Sequence, residues 1–532
     1  MIRGLRFPAL SFLSHMAHYG RFASGMRQYL SSPVASDSRG EIRRRLEHRE
    51  ETWLRLVRRT VFAQPDHPYR RMFGVAGCEM GDLEAAVRRR GLEDTLTRLR
   101  GEGVYLSADE FKGRTPIERS GVHIPSTATS FTTPSSRGWL GGASSGSSGG
   151  ARITTSGTRH LLLAECYLRL TIEEFQLDRF SMIVVRPILP STAGLVTSIP
   201  MNRFGLTVDS WFAPGSAGSD SLHYRGLTSL MVAMALLHGL KTPFPRSLGK
   251  DEWSLVAKLI SSRKEKGVSC VVSSFVRPAV QLAAAAVECG YDISGTVFLV
   301  GGEAMTNSKR NVIESAGGRV SLRYWISEIG PIGFACSEMR GNCVHLFDDT
   351  VVAVNDSTNR PAVFFTTLDE DAPSFVINAE MGDCGFVEDA NCQCEFRSAG
   401  ISRQIRDIAS RSRITTLGMT LEYSDVAAIV EESLPRRFGG APTDYQLIET
   451  ERGTGTGIDI RIHPRVTLAD ASAIADYFLQ ALRSYYGGAA ASRVWAHAGA
   501  VRVVRAEPRV TVTGKVLPIY LLDQTSSGNR DS

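Results

Sequence analysis

The segment GGASSGSSGGAR, residues 141–152, interleaves glycines with hydroxyls. Glycine lets backbone N–H groups turn inward and approach an anion closely, and serine hydroxyls add further donors, so this composition suits a loop wrapped around phosphate. The same composition describes a flexible linker, and nothing within the segment decides between the two. It lacks the G-x-x-x-x-G-K-[ST] ending, which makes a P-loop NTPase a poor match. A second stretch, TTSGTRH at 154–160, is also rich in hydroxyls but lacks a second glycine pair. The other reactive side chains are nine cysteines, an odd number. The opening MIRGLRFPALSFLSHMAHYGRF has its apolar core broken by Pro8, His15 and His18, which argues against a secretory signal and predicts a cytoplasmic chain. In that setting cysteines read as thiols, ligands or core residues before they read as disulfides.

The chain that must position these groups has 532 residues, 43% hydrophobic and 22% charged, with enough apolar material for several cores. The net charge of +6 is spread among acidic residues rather than gathered into a basic stripe, so nucleic acid is not the expected partner. No run of about 18 apolar residues is present, so a membrane span is not expected.

Residues 40 to 115 carry dense charge and apolar residues at three- and four-residue intervals, as in GEIRRRLEHREETWLRLVRRTVF, and predict a helical leader. Beyond the Gly/Ser stretch, apolar runs such as FSMIVVRP and GTVFLVGGE alternate with helical segments such as TSLMVAMALLHGL, DEWSLVAKLISSRKEK and RPAVQLAAAAVECG. Strand and helix in turn imply an α/β core. From about residue 340 the texture becomes β-rich, with CVHLFDDTVVAVN, PAVFFTTL and CGFVEDANCQCEF. After SRSRITTLG comes an α+β tail: a helical YSDVAAIVEESL, a strand GIDIRIHP, one long helix LADASAIADYFLQALRSYY, and AVRVVRAE. No internal repeat is evident.

The segments SSGSSGGAR (144–152), GGE (301–303), YWISE (324–328), MGD (381–383) and TGK (513–515) occur in an order and spacing that resembles the adenylate-forming superfamily. The nearest resemblance is to its phenylacetate-CoA ligase branch, which includes acyl-protein synthetase-like proteins, and it covers about residues 130–523. Such enzymes join a carboxylate to the α-phosphate of ATP, release pyrophosphate, and pass the acyl group to a thiol. The resemblance implies that Ser144, Ser145, Gly146, Ser147, Ser148 and Gly149 hold the β- and γ-phosphates. It implies that Gly301 and Gly302 let backbone approach adenine with Glu303 nearby, and that Tyr324 stacks on adenine. Ser327 would reach phosphate and Glu328 Mg²⁺, a hard cation that prefers carboxylate oxygen. Asp383 would accept hydrogen bonds from both ribose hydroxyls, Arg411 would contact ribose or phosphate, and Lys515 would swing in to stabilise charge on the attacking carboxylate. His223 and Tyr224 would border the acyl pocket, although a helix-start histidine is more often structural.

Departures from the pattern are Trp325 in place of a usual glycine, which could narrow the pocket, Arg152, and Arg413 and Ile414 where acidic hinge residues are expected. Several relatives carry a C…H…C-x-C set that binds a structural Zn²⁺. Here the matching residues are Cys336, Cys343, Cys392 and Cys394, with Cys343 at the usual histidine position and His345 in reserve. Free thiols are the alternative.

The expectation is therefore an α/β protein with a helical leader (1–115), an adenylate-forming α/β core with a β-rich part (116–410) and a small α+β lid (411–532). Its expected substrates are ATP with Mg²⁺, an aromatic or fatty carboxylic acid, and a thiol, CoA by default. A carrier-protein phosphopantetheine or an amine as acceptor, and a degenerate relative that binds ligand without turnover, are the alternatives.

Overall fold

The computed structural model describes residues 20, 24–127, 129–133, 140–143, 153–189, 191–214, 222–249, 252–411, 413–416, 419–452, 455–467, 470–485, 488–497, 499–510 and 516–520. Ser144 to Gly149 and Lys515 lie outside the described residues, as does the side chain of His223.

The apolar runs SMIVV, CVVSSF and VFLVG become the strands Ser181–Val185, Cys270–Phe275 and Val297–Gly301, and every residue in them is buried. Continuous rather than alternating burial is the mark of parallel strands covered on both faces. They lie within a twelve-stranded mixed sheet. Its parallel half runs Arg319–Ile326, Val297–Gly301, Cys270–Phe275, Ser181–Val185, Val208–Pro214, Pro245–Leu248. Its antiparallel half continues from Arg319–Ile326 through Gly330–Phe334, Val344–Leu346, Arg403–Ser410, Ala379–Asp389 and Ala362–Thr367 to Val351–Asn355. The β-rich texture after residue 340 is this half. Helices Val276–Cys289 and Asn307–Ser315 pack on the strands they connect. Helix Thr158–Glu174 packs against Gly330–Phe334 and against Ser38–Glu47 of the leader.

The leader is helical, with helices at Ser38–Glu47, Arg49–Val57, Pro68–Val75, Met80–Arg90 and Leu92–Gly101. Its buried Trp53, Tyr69 and Phe73 join the same apolar cluster as the sheet residues. Tyr69 donates its hydroxyl to Ile377 O at 2.8 Å, and Asn378 Nδ2 donates to Leu96 O and Val104 O.

A second apolar cluster runs from Leu421 to Ile519. It lies against a four-stranded sheet ordered Val501–Arg505, Gly455–Ile462, Tyr445–Arg452, Ile519–Tyr520. The expected long helix is shorter than its apolar pattern and spans Ser472–Leu482. Asp470 explains the late start, because its carboxylate accepts from the Ser472 N–H and hydroxyl and holds the chain in a turn. The overall architecture is a mixed α/β fold with one large mixed sheet and a smaller C-terminal sheet.

Candidate active site

Strand Arg319–Ile326 carries YWI to the carboxyl edge of the parallel half, where open α/β sheets bind ligands. The Tyr324 hydroxyl donates a hydrogen bond to Asp383 Oδ2, joining two segments 59 residues apart. Asp383 pairs with Ser410 on the neighbouring strand, which brings the following residue, Arg411, alongside. The Arg411 N–H donates to Gly382 O at 2.7 Å, and its Nη1 lies 3.3 Å from Asp356 and 3.6 Å from Glu380. Tyr324, Asp383 and Arg411 are thus brought together.

Burial pushes the Asp383 carboxyl up to about 6, against the Tyr324 hydrogen bond and the field of Lys112, which favour the charged form. Burial and the adjoining Asp383 raise the Tyr324 hydroxyl above its ordinary value. Lys112 follows the short leader helix Ala108–Phe111, and both Glu328 and Asp383 act on it. Burial nevertheless lowers its ammonium below the usual range. The leader therefore sets a cation in the field of two carboxylates of the site. Sequence reading missed it, since a lone lysine in DEFKGRT carries no distinguishing pattern.

Ser327 and Glu328 sit in the half-buried turn that ends the strand, while Trp325 is 43% exposed. Trp325 meets the ring of His160 edge-on at 6.2 Å. His160, also missed, is buried; its Nδ1 lies 2.6 Å from Asp369 Oδ2. Its Nε2 edge faces Gly330, where a Cβ would come within 2.4 Å of the ring and where φ is +124°. Only glycine fits there.

Gly301 ends its strand opposite Arg323, and a Cβ on it would lie 2.3 Å from Arg323 O. The missing side chain is what keeps these two strands in register at the site edge. Glu303 Oε2 accepts from the Arg277 N–H at 3.3 Å, tying the GGE turn to the start of helix Val276–Cys289. Tyr224, in helix Leu222–Leu237, packs against the main apolar cluster.

A second centre lies where the chain leaves strand Ala379–Asp389 and returns as Arg403–Ser410. Cys336, His345, Cys392 and Cys394 are all buried, with their donor atoms within 4.8 Å of one another. Cys392 Sγ and Cys394 Sγ lie 3.3 and 3.1 Å from His345 Nε2 and 3.5 Å apart. A tetrahedral cation with metal–sulfur bonds of about 2.3 Å needs sulfur edges of roughly 3.8 Å, so the set fits a closed four-donor site. The expected fourth donor, Cys343, is corrected to His345. Register is the reason: Val344 pairs with Ile405 and His345 with Gln404, so His345 stands nearer the connection that holds Cys392 and Cys394. Cys343 lies toward Arg406 and donates to Gln404 Oε1 at 3.3 Å. All nine cysteines are free thiols. Hydrogen bonding to Cys394, then burial, raises Cys336 to about 12, so a cation binding here has to displace protons.

No protein-family model and no curated protein matches the chain. Among solved structures it is similar to 2-hydroxyisobutyryl-CoA ligase in complex with 2-HIB-AMP and CoA, at 14% identity over 90% of each chain with a TM-score of 0.44. It is similar to ATP-bound MatB from Rhodopseudomonas palustris, at 11% identity over 72% of this chain and 67% of that one, TM-score 0.41. It is also similar to AMP-bound o-succinylbenzoate coenzyme A synthetase from Bacillus subtilis, at 12% identity over 73% and 69%, TM-score 0.41. Among the described residues, no helix is long and apolar enough to cross a membrane.

Proposed function

We propose that this chain is an adenylate-forming ligase that activates a carboxylic acid with ATP and transfers the acyl group to a thiol, CoA by default. The observation that carries this reading is the Tyr324–Asp383 hydrogen bond with Arg411 alongside, because it unites three separated motifs at one edge of the sheet. An aromatic face, a carboxylate and a guanidinium at one place suit a nucleoside phosphate: the ring stacks on the base, the carboxylate accepts ribose hydroxyls, and the guanidinium meets anionic oxygen.

In the first half-reaction a carboxylate oxygen of the acid attacks the α-phosphorus, the bond to the bridging oxygen breaks, and pyrophosphate leaves. The thiol then loses its proton and attacks the acyl carbon, and AMP leaves with the electron pair of the acyl–oxygen bond. Glu328 and Ser327 fit a Mg²⁺ carried by the nucleotide, whose charge would offset the phosphates. The Gly/Ser stretch 144–149 and Lys515 complete the assignment through the motif order. Cys336, His345, Cys392 and Cys394 would hold a structural Zn²⁺, which leaves no open coordination position for catalysis.

The test is pyrophosphate release across a panel of carboxylic acids, comparing wild type with Lys515→Ala. Loss of one preorganised charge partner costs about 10²- to 10³-fold in rate. The variant should lose adenylation by that factor yet still convert a supplied acyl adenylate to thioester. No pyrophosphate release with any acid, alongside measurable ATP binding, would reject the ligase reading.

A further inference from the structure

Arg186, Arg277 and Arg323 are contributed by adjacent parts of the parallel sheet. Arg186 follows Ser181–Val185, Arg277 follows Cys270–Phe275 by two residues, and Arg323 lies near the end of Arg319–Ile326. Val185 is in register with Ser274, Phe275 with Gly301, and Gly301 with Arg323. Arg186 and Arg323 therefore stand at opposite ends of one row across the carboxyl edge, with the side-chain-free Gly301 between them. The Arg186 guanidinium lies 4.5 Å from the Phe275 ring centroid, and that of Arg323 lies 4.8 Å from Phe334.

All three leave guanidinium nitrogens without a hydrogen-bond partner among the described residues, and Arg323 has no counter-charge beside it. Among the described residues, Arg186 Nε, Arg277 Nε, and Arg323 Nε and Nη2 are buried atoms with no hydrogen-bond partner. Burial lowers Arg186 and Arg277 to about 10 and Arg323 to about 9, with Arg186 pushing Arg323 down further. Glu303 acts on Arg186 and Arg277; Asp444 and Glu507 also act on Arg277, opposed by Arg465. Among the described residues, no carboxylate acts on Arg323. Unpaired buried charge is expensive, and a guanidinium stays ionised rather than giving up its proton. A cluster of this kind at the ligand edge of a sheet is balanced by an anion that arrives from outside.

We propose that Arg186, Arg277 and Arg323 receive a second anionic group on the acid, so that the substrate carries a carboxylate or a phosphate besides its reacting carboxylate. This deepens the ligase reading and rests on it. Arg323 and Tyr324 are consecutive on a strand and their side chains leave on opposite faces, so the arginine row stands apart from the Tyr324–Asp383 pair. On that face the anion is assigned to the acid; Gly301, which the motif order sets beside adenine, lies in the same row, and the KM for ATP in the experiment separates the two. Arginine suits the task because its fixed fork binds carboxylate and phosphate bidentately, and phenylalanine faces on Arg186 and Arg323 limit where the forks can point.

The experiment uses the full chain and matched acids: succinate against butyrate, phthalate against benzoate, and 3-phosphoglycerate against glycerate. Hydrogen bonds to charged groups predict that at least one dianion is preferred by about 10- to 100-fold in kcat/KM over its partner. Arg323→Met should erase that preference with the KM for ATP unchanged. It should also raise the melting temperature of the ligand-free protein, because it removes an unpaired buried charge, whereas a structural arginine would lower it. Equal use of mono- and dianions with no effect of Arg323→Met overturns the proposal and leaves the ligase reading standing. A rise in the KM for ATP alone overturns it in favour of a phosphate contact. If no acid is activated the ligase reading fails, and thermal shift decides the rest: a dianion-specific shift lost in Arg186→Met upholds the anion receptor, and no shift rejects it.

Discussion

Lys309 Nζ stands 2.6 Å from Glu431 Oε1, with the two side chains 2% and 4% exposed. Lys309 lies in the first turn of helix Asn307–Ser315, which packs on the large sheet, and Glu431 lies between Val430 and Leu434 of the C-terminal cluster. This buried pair ties the two apolar clusters together. Breaking one side of a buried ion pair strands the other charge and costs about 3–5 kcal/mol. Lys309→Met should lose that much in denaturant unfolding, while Lys309→Met with Glu431→Leu should recover most of it. Additive losses in the double variant would show that the pair has no joint role.

Asp383 titrates near 6 in the folded protein because burial disfavours its charge. The folded chain binds this proton more tightly than the unfolded chain does. The stability it contributes is therefore fully present below about pH 4 and is lost as pH rises through about 6. Asp383→Asn needs no proton, so it should be the more stable protein at pH 8 by about 3 kcal/mol relative to its standing at pH 4. ATP affinity should run the other way in wild type, falling below pH 6 as the ribose acceptor is protonated. Parallel pH profiles for wild type and the variant would contradict this.

The Cys/His centre makes a discriminating prediction about metal content. Wild type and Cys343→Ser should each copurify with about one equivalent of Zn²⁺, while His345→Ala and Cys392→Ser should not. Chelation should lower the melting temperature of the first two. Retention of metal by His345→Ala, with loss in Cys343→Ser, would reinstate the four-cysteine set.

Gly330→Ala places a methyl group on the His160 ring and forces alanine to φ +124°. The two penalties together predict a loss of about 2–4 kcal/mol. Adding His160→Ala should recover the steric part and not the backbone part, so the double variant should sit between the two.

The strands were legible where burial on both faces writes a continuous apolar run, as in SMIVV and VFLVG. Their order was not, because Val344–Leu346 is inserted between Gly330–Phe334 and Arg403–Ser410 by pairings that no local pattern encodes. Tyr324, Asp383 and Arg411 could be picked out as motif residues, yet the Tyr324–Asp383 contact joins two strands that have three others between them in the sheet order, which no local pattern encodes. His345 rather than Cys343 stands with Cys336, Cys392 and Cys394 because strand register, not residue type, decides which side chain meets them. The arginine row had a signal that went unread: IVVR sets a guanidinium just past an apolar strand, SFVR sets one at the start of the helix that follows such a strand, and SLRYW sets one inside a strand.

The leader helices close onto residues synthesised about three hundred positions later, since Tyr69 bonds Ile377 and Asn378 bonds Leu96 and Val104. At a synthesis rate of about 5–20 residues per second, that separation is a wait of roughly 15–60 s. During it, Phe73 has Phe62 and Tyr69 has His67 to pack on, but the bond from Tyr69 to Ile377 cannot form. The leader's bonds to the large sheet are thus completed only after that wait, and with them the placement that sets Lys112 in the field of Glu328 and Asp383.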